Sequence, residues 1–214
     1  MIVRAILAVA LCASVAAADA PPANLVTGTP KTGTAVDPTF AHLKLDRMRA
    51  KFTEQKHIAL LAKPLRSAGT IYFDHVQGIA RIQTSPKAQQ VTVTKTTLKI
   101  KSGTRVEEVP LDKSKDLRAF ALVFPSLLSG DRAALASSFE IGLYGADTGW
   151  WALSFTPKSE SLKKLVTSVV VIGQKADPVM LKITEASGDV TETELTEVAR
   201  DKAVTDADIA QAFR

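Results

Sequence analysis

Residues 52–73 read FTEQKHIALLAKPLRSAGTIYF. Phe52, Ile58, Leu60 and Ala62 fall on one parity, as one face of a strand requires. Lys63-Pro64 interrupts the run, because proline has no N–H to give to a ladder. Alternation then resumes, with Gly69, Ile71 and Phe73 on one side and Thr70 and Tyr72 on the other. The stretch reads as strand, turn, strand, so the fold around it is expected to rest on antiparallel pairing.

Toward the N-terminus, Asp37-Pro38 has the form of an N-cap followed by proline in the first helical position. Phe40, Leu43, Leu45, Met48 and Phe52 roughly follow a helical period, which predicts a helix over about 38–50. Residues 19–36, DAPPANLVTGTPKTGTAV, are rich in Pro, Gly, Thr and Ala and are expected to form a flexible leader. Ahead of them, Arg4, the apolar run Ala5–Val15 and Ala16-Ala17-Ala18 compose a secretory signal, cleaved after residue 18. Cys12, the only cysteine, lies inside that apolar run. Leu11 stands where a lipidation site needs a small residue, so the exported chain is expected to be neither lipidated nor disulfide-bonded. The expected location is the periplasm.

Toward the C-terminus, GIARIQT (78–84), QQVTVTK (89–95), TLKIK (97–101) and TRVEEV (104–109) alternate at a spacing of about ten residues, the mark of a meander. KDLRAFALVFPSLLSGDRAALASSF (115–139) breaks the alternation and predicts two short helices split near Pro125 and Gly130. Strands resume with FEIGLYG, GWWALSFTP, TSVVVIG, PVMLKITE and DVTETELTEV, and TDADIAQAF closes the chain as a short helix. KSESLKKLV supplies one helical turn between strands, and Trp150-Trp151 directs two aromatics to opposite faces of one strand. The sum is an α+β fold: one large antiparallel sheet whose apolar face must be covered, with the helices near 40–50 and 115–137 as the available covers.

The chain carries a formal net charge of +5, unevenly spread. Lys44 to Arg118 holds 16 Lys/Arg against 7 Asp/Glu, and Asp177 to Arg214 holds 4 against 9. Nucleic acid does not suit an exported chain. An anionic membrane surface or an acidic partner protein does, and simple solubility is the plain alternative. The cations Lys44, Arg47, Arg49, Lys51, Lys56, Lys63 and Arg66 are the expected contact with an acidic partner.

Motifs of catalysis are weak. Ser161-Leu-Lys-Lys164 and Lys31-Thr32-Gly33 match fragments of penicillin-recognising enzymes, but in reversed chain order and without Ser-Asp-Asn between them. His42, His57 and His75 form no His-Glu-x-x-His motif, and there is no Gly-x-Ser-x-Gly elbow. Neither metal nor cofactor is expected, and no catalytic residue is assigned.

The order of elements carries a resemblance. A signal peptide and one helix lead to Phe52-Thr53-Glu54-Gln55 and then to the Gly-led strand from Gly69. Pro86 ends GIARIQTSP, WALSFTP is followed by a helical turn and a hydrophobic strand, and Gly188-Asp189 marks an acidic hairpin. Over residues 38–214 this set resembles the LolA-like periplasmic lipoprotein carriers of Gram-negative bacteria. The resemblance implies a domain over 37–214 shaped as a half-open, incomplete β-barrel, its apolar concave face lidded by short helices. It implies a cavity for the acyl chains of lipoproteins moving from inner to outer membrane. The implied partners are an inner-membrane release complex and an outer-membrane acceptor, and a monomer is expected. In the family an Arg-Pro pair in the second hairpin holds the lid. Counted from Gly69, His75-Val76 stands there and Arg81 replaces a tryptophan. The lock is therefore not carried over, and His75 is left as the candidate lid-contact position.

On this reading the cavity is lined by Ile71, Phe73, Ile79, Val91, Val93, Leu98 and Ile100 from strands, and by Phe120, Leu122, Phe124 and Leu128 from the lid. Ordinary core packing is the competing role for each. A carrier or sensor of another hydrophobic ligand, such as a glycolipid or polyene, is the second reading, and a secreted hydrolase the third.

Overall fold

The computed structural model of the chain describes residues 20–145 and 149–214. The signal-peptide reading of residues 1–18, and Cys12 with it, lies outside the described residues.

Two antiparallel meanders make the architecture. The first runs β1 (Arg47–His57), β2 (Leu65–Asp74), β3 (Gly78–Ser85), β4 (Gln89–Val93), β5 (Thr97–Ser102) and β6 (Arg105–Pro110). Three short helices follow: α2 (Lys115–Ala121), α3 (Val123–Leu128) and α4 (Arg132–Ala136), with α1 (Asp37–Leu43) ahead of β1. The second meander is β7 (Phe139–Gly145), β8 (Trp150–Pro157), the turn α5 (Glu160–Lys163), β9 (Val166–Gln174), β10 (Asp177–Glu185) and β11 (Val190–Arg200), and α6 (Asp206–Ala212) ends it. The eleven strands form one sheet in the order β6-β5-β4-β3-β2-β1-β11-β10-β9-β8-β7. The first strand pairs with the last, and β6 and β7 are open edges, so the sheet is not closed into a barrel.

Register places the apolar residues. Across β1–β5, Met48 lies opposite Phe73, Phe73 opposite Ile79, Ile79 opposite Val93, and Val93 opposite Leu98. One row further, Ala50, Ile71, Arg81, Val91 and Ile100 are aligned in the same way. Phe52 opposes Leu195 of β11, and in the next row Glu54 opposes Thr193, from which the row runs on the second meander through Leu181, Val171 and Leu153 to Leu143. This inner face packs against the helices in two clusters. One gathers Leu153, Phe155, Val169 and Val171 with Phe40, Leu43, Val123, Leu127 and Leu135, and the other gathers Met48, Phe52, Ile71, Phe73 and Ile79 with Leu128.

The structure corrects the sequence reading in three places. The first helix ends at Leu43 and a strand begins at Arg47. Met48 and Phe52, four apart, satisfy both periods, and the burial of Met48, Ala50 and Phe52 between more exposed Arg49 and Lys51 shows that period two prevails. Ile58, Leu60 and Ala62 lie in the β1–β2 loop instead of extending the strand. The helical segment splits at Leu122 and again around Gly130 into three helices, and Pro125 sits in the first turn of α3, where its missing N–H costs little. Residues 20–36 are mostly exposed and meet the rest of the fold at Leu25, Lys31 and Val36. Lys31 pairs with Leu143, and buried Leu25 joins Trp150 and Ala152 on the outer face of β8. Val36 is fully buried in the larger inner cluster. Trp150 and Trp151 do face opposite ways, Trp150 toward Leu25 and Trp151 into the inner cluster.

The outer face of the first meander is covered by α6. Ile209 and Ala212 are buried there, and Gln90 Nε2 donates to Ala212 O at 2.7 Å. Thr205 and Asp208 form a capping box that starts this helix, and the Thr205 hydroxyl and amide hold the Asp208 carboxyl below its ordinary range. Arg47 ties the helix down: its guanidinium reaches Asp206 at 2.7 Å and Asp74 at 3.1 Å. Asp74 is 4% exposed. Burial alone would raise its carboxyl, but the N–H groups of Gln77 and Val76 and the Arg47 guanidinium outweigh it and hold the group low. A depressed folded value means stability present above the ordinary value of 3.8 and lost as pH falls through the folded one. Asp74→Asn should therefore cost about 1–3 kcal/mol at neutral pH. Urea unfolding of both proteins across acid pH checks this, since the gap should close below the ordinary carboxylate range.

Candidate functional site

The inner face is not covered evenly. Ile71, Phe73 and Ile79 are buried in the smaller cluster, together with Leu128 of α3. Phe120 packs partly buried on the larger cluster, and Phe124 touches both, so α3 spans the seam between the meanders. Val91, Val93, Leu98 and Ile100 are only half-buried, although they lie on the same face. Beyond them Val109 of β6, opposite Leu98, is exposed. Strands β4–β6 thus form a wing whose apolar side runs out past the helices.

A cavity of about 430 Å³ opens where the helices meet the β2–β3 hairpin. Phe73, His75 and Gly78 line it from the sheet, Leu122, Ser126 and Leu135 from the helices, and Phe139 from the start of β7. Lys95, Lys115, Arg118 and Asp131 also border it. Its size lies within the range of small-ligand pockets. Of the residues singled out in the sequence, Phe73, Leu122 and His75 meet on its wall. The structure separates the rest into buried core and open wing. His75 holds its place through its backbone, the N–H donating to Asp46 O at 3.0 Å.

One group on this face escaped the sequence reading. Arg81 occupies the row of Ile71 and Val91, with its Cζ 4.2 Å from the centre of the Phe52 ring. It donates to Glu54 and Ser67 at 2.9 Å and to Gln83 at 3.0 Å, and Thr193 donates to the other oxygen of Glu54 at 3.0 Å. Burial lowers the proton affinity of the guanidinium, and Glu54 works against that. The parity Arg81 shares with Ile79 was visible in GIARIQT, but Glu54 lies two strands away, out of reach of any local pattern.

The C-terminal half of the inner face was also missed. Leu153, Phe155 and Val171 form the floor beneath the helices, a role that depends on β1 meeting β11. The basic surface expected to meet an acidic partner is largely engaged within the chain. Arg47 pairs with Asp74 and Asp206, Arg49 with Asp208, Lys51 with Glu197, and Lys56 with Glu185. Among the described residues, no group of three or more His, Cys, Asp or Glu is placed to hold a metal ion. Nor is any described helix long and apolar enough to cross a membrane.

The fold and its lidded apolar face define a class, the LolA-like half-barrels. The chain belongs to the outer membrane lipoprotein carrier protein LolA-like family, whose model matches residues 32–213. No curated protein matches it. Among solved structures it is similar to a LolA superfamily protein from Nitrosomonas europaea, at 10% identity and TM-score 0.44, covering 80% of this chain and 94% of that one. It is also similar to a putative outer membrane lipoprotein-sorting protein domain from Vibrio parahaemolyticus, at 10% identity and TM-score 0.47, covering 84% and 96%. MucB is similar at 14% identity and TM-score 0.47, over 82% of this chain and 62% of that one.

Two experiments test the site's construction. Glu54→Leu strands Arg81 against Phe52 and should cost about 2–4 kcal/mol, whereas adding Arg81→Leu should recover most of the loss. Chemical denaturation of both single variants and the double variant reads the coupling. Phe124→Asp places a carboxylate at the seam and should lower stability by about 2–4 kcal/mol, read by thermal unfolding.

Proposed function

We propose that the chain is a periplasmic carrier that shelters the acyl chains of lipoproteins, or a similar lipid cargo, during transfer from the inner to the outer membrane. The observation that carries this reading is the continuity of the apolar face from the covered core, past the cavity at Phe73 and Leu122, onto the open wing of Val91, Val93, Leu98 and Ile100. A half-buried apolar row beside a cavity suits a flexible chain of methylenes better than a compact polar substrate.

Magnitudes set the mechanism. Burying about a dozen methylenes at ~0.8 kcal/mol each stabilises the complex by roughly 10 kcal/mol. That is enough to hold cargo in water and too much for prompt release, so covered and uncovered states must lie close in energy. The short helices α2–α4 are the elements suited to move, hinged at Leu122 and at Gly130, whose φ is +71°. His75 on the hairpin faces Leu122 across the cavity and serves as the lid contact. The chain acts by binding rather than by catalysis, and its partners are a release complex at the inner membrane and an acceptor at the outer one. The polar cluster around Arg81 favours, as second reading, a ligand with a polar head, such as a glycolipid.

Mass spectrometry of hydrophobic molecules extracted from the purified protein tests the reading: acylated peptide or lipid is expected, and a ligand-free protein that captures no hydrophobic probe would defeat it. Val91→Asp with Ile100→Asp should lower capture of such a probe by more than about tenfold. Because the two carboxylates would stand opposite each other, the neutral pair Val91→Thr with Ile100→Thr, which keeps the strand pairing and should unfold much as wild type does, separates a lining role from core packing.

A further inference from the structure

The β1–β2 loop carries an exposed apolar run. Leu60 is 94% exposed, Leu61 48%, and Leu65, at the start of β2, 52%. Loops at such turns ordinarily carry Gly, Asn or Asp, whereas residues 58–62 here read Ile-Ala-Leu-Leu-Ala. The loop is nevertheless held in place. Leu61 N–H donates to Ile58 O at 2.9 Å, and Ala59 N–H donates to Asp189 in the β10–β11 turn at 3.3 Å. The same turn touches the start of β9, where Ala186 N–H donates to Leu165 O at 3.2 Å, and Leu165 is itself 44% exposed. Two loops, bridged by the β10–β11 turn, thus present leucines at one rim of the sheet.

The charges around those leucines are mostly positive. Lys63 and Arg66 are exposed and enter no ion pair among the described residues, and Lys164 stands beside Leu165. The acids nearby are engaged: Glu185 with Lys56 at 2.6 Å, Glu160 with Lys163 at 2.7 Å, and Asp189 with the Ala59 amide.

We propose that this rim docks on an anionic lipid bilayer, with Leu60 and Leu61 entering the boundary between headgroups and acyl chains and with Lys63 and Arg66 meeting lipid phosphates. An apolar tip with cations set behind it is the arrangement a bilayer interface selects. An acidic protein patch would answer the cations but leave Leu60 without a partner. The proposal goes beyond the carrier reading and does not require the cavity to hold a ligand.

The test is co-sedimentation of the purified protein with vesicles of phosphatidylethanolamine and phosphatidylglycerol, against vesicles of phosphatidylcholine. Binding is expected on the anionic vesicles and should weaken between about 0.1 M and 1 M salt. Leu60→Asp with Leu61→Asp should lower it by more than about tenfold, and Lys63→Glu with Arg66→Glu should abolish the preference for anionic lipid. These positions are exposed, so circular dichroism and thermal unfolding should match wild type. A leucine variant that still captures a hydrophobic probe but no longer sediments supports the proposal and leaves the cavity reading untouched. Wild-type protein that stays in the supernatant, or a leucine variant that sediments as wild type does, overturns it.

Discussion

The pairing of β1 with β11 is the contact on which the rest depends. It joins residues near the start of the described chain to residues near its end, with Phe52 opposite Leu195 and His57 opposite Val190. Its register does more than join two meanders. It brings the apolar face of each onto the same side, because a slip of one residue would turn every side chain of one half to the other face. A bulge between Arg49 and Lys51 adjusts the pairing where β1 approaches α6. Arg47 and Arg49, at that end of β1, hold α6 through Asp206 and Asp208.

From that single face comes a division of labour. Under the helices, side chains such as Leu153, Phe155 and Val171 are wholly buried and act as core. On the wing the same face continues half-exposed, since the four short helices α1–α4 cannot cover eleven strands. Arg81 marks the row between Ile71 and Val91. A cation on an apolar face is tolerated there because Phe52 offers its ring, and Glu54, Ser67 and Gln83 accept from the guanidinium. Such a group gives an otherwise uniform surface a fixed polar point.

The strands of both meanders were legible because alternation is a local signal, and each hairpin announces itself within about ten residues. The half-barrel and the family followed from the order of those local signals. What stayed hidden is non-local. The break between Leu43 and Arg47 was masked because Met48 and Phe52 fit two periods at once. The packing of Leu25 and Lys31 depends on β8 and β7, more than a hundred residues further on. The Arg81–Glu54 contact crosses two strands, and the cations of β1 find their partners in β10, β11 and α6. Composition could show the excess of charge but not its neutralisation.

The meeting of first strand with last also orders events in time. Synthesis proceeds from the N-terminus, so β1 and the strands after it exist before their far neighbour has been made. Contacts of such long sequence separation slow folding, because a large loop must close before the pairing rewards it. Throughout that interval Met48, Phe52, Ile71 and Phe73 form an apolar surface, and the edge of β1 is unpaired as well as that of β6, the state most open to aggregation. The apolar face that the finished molecule covers with its helices leaves the unfinished one in need of a cover from elsewhere.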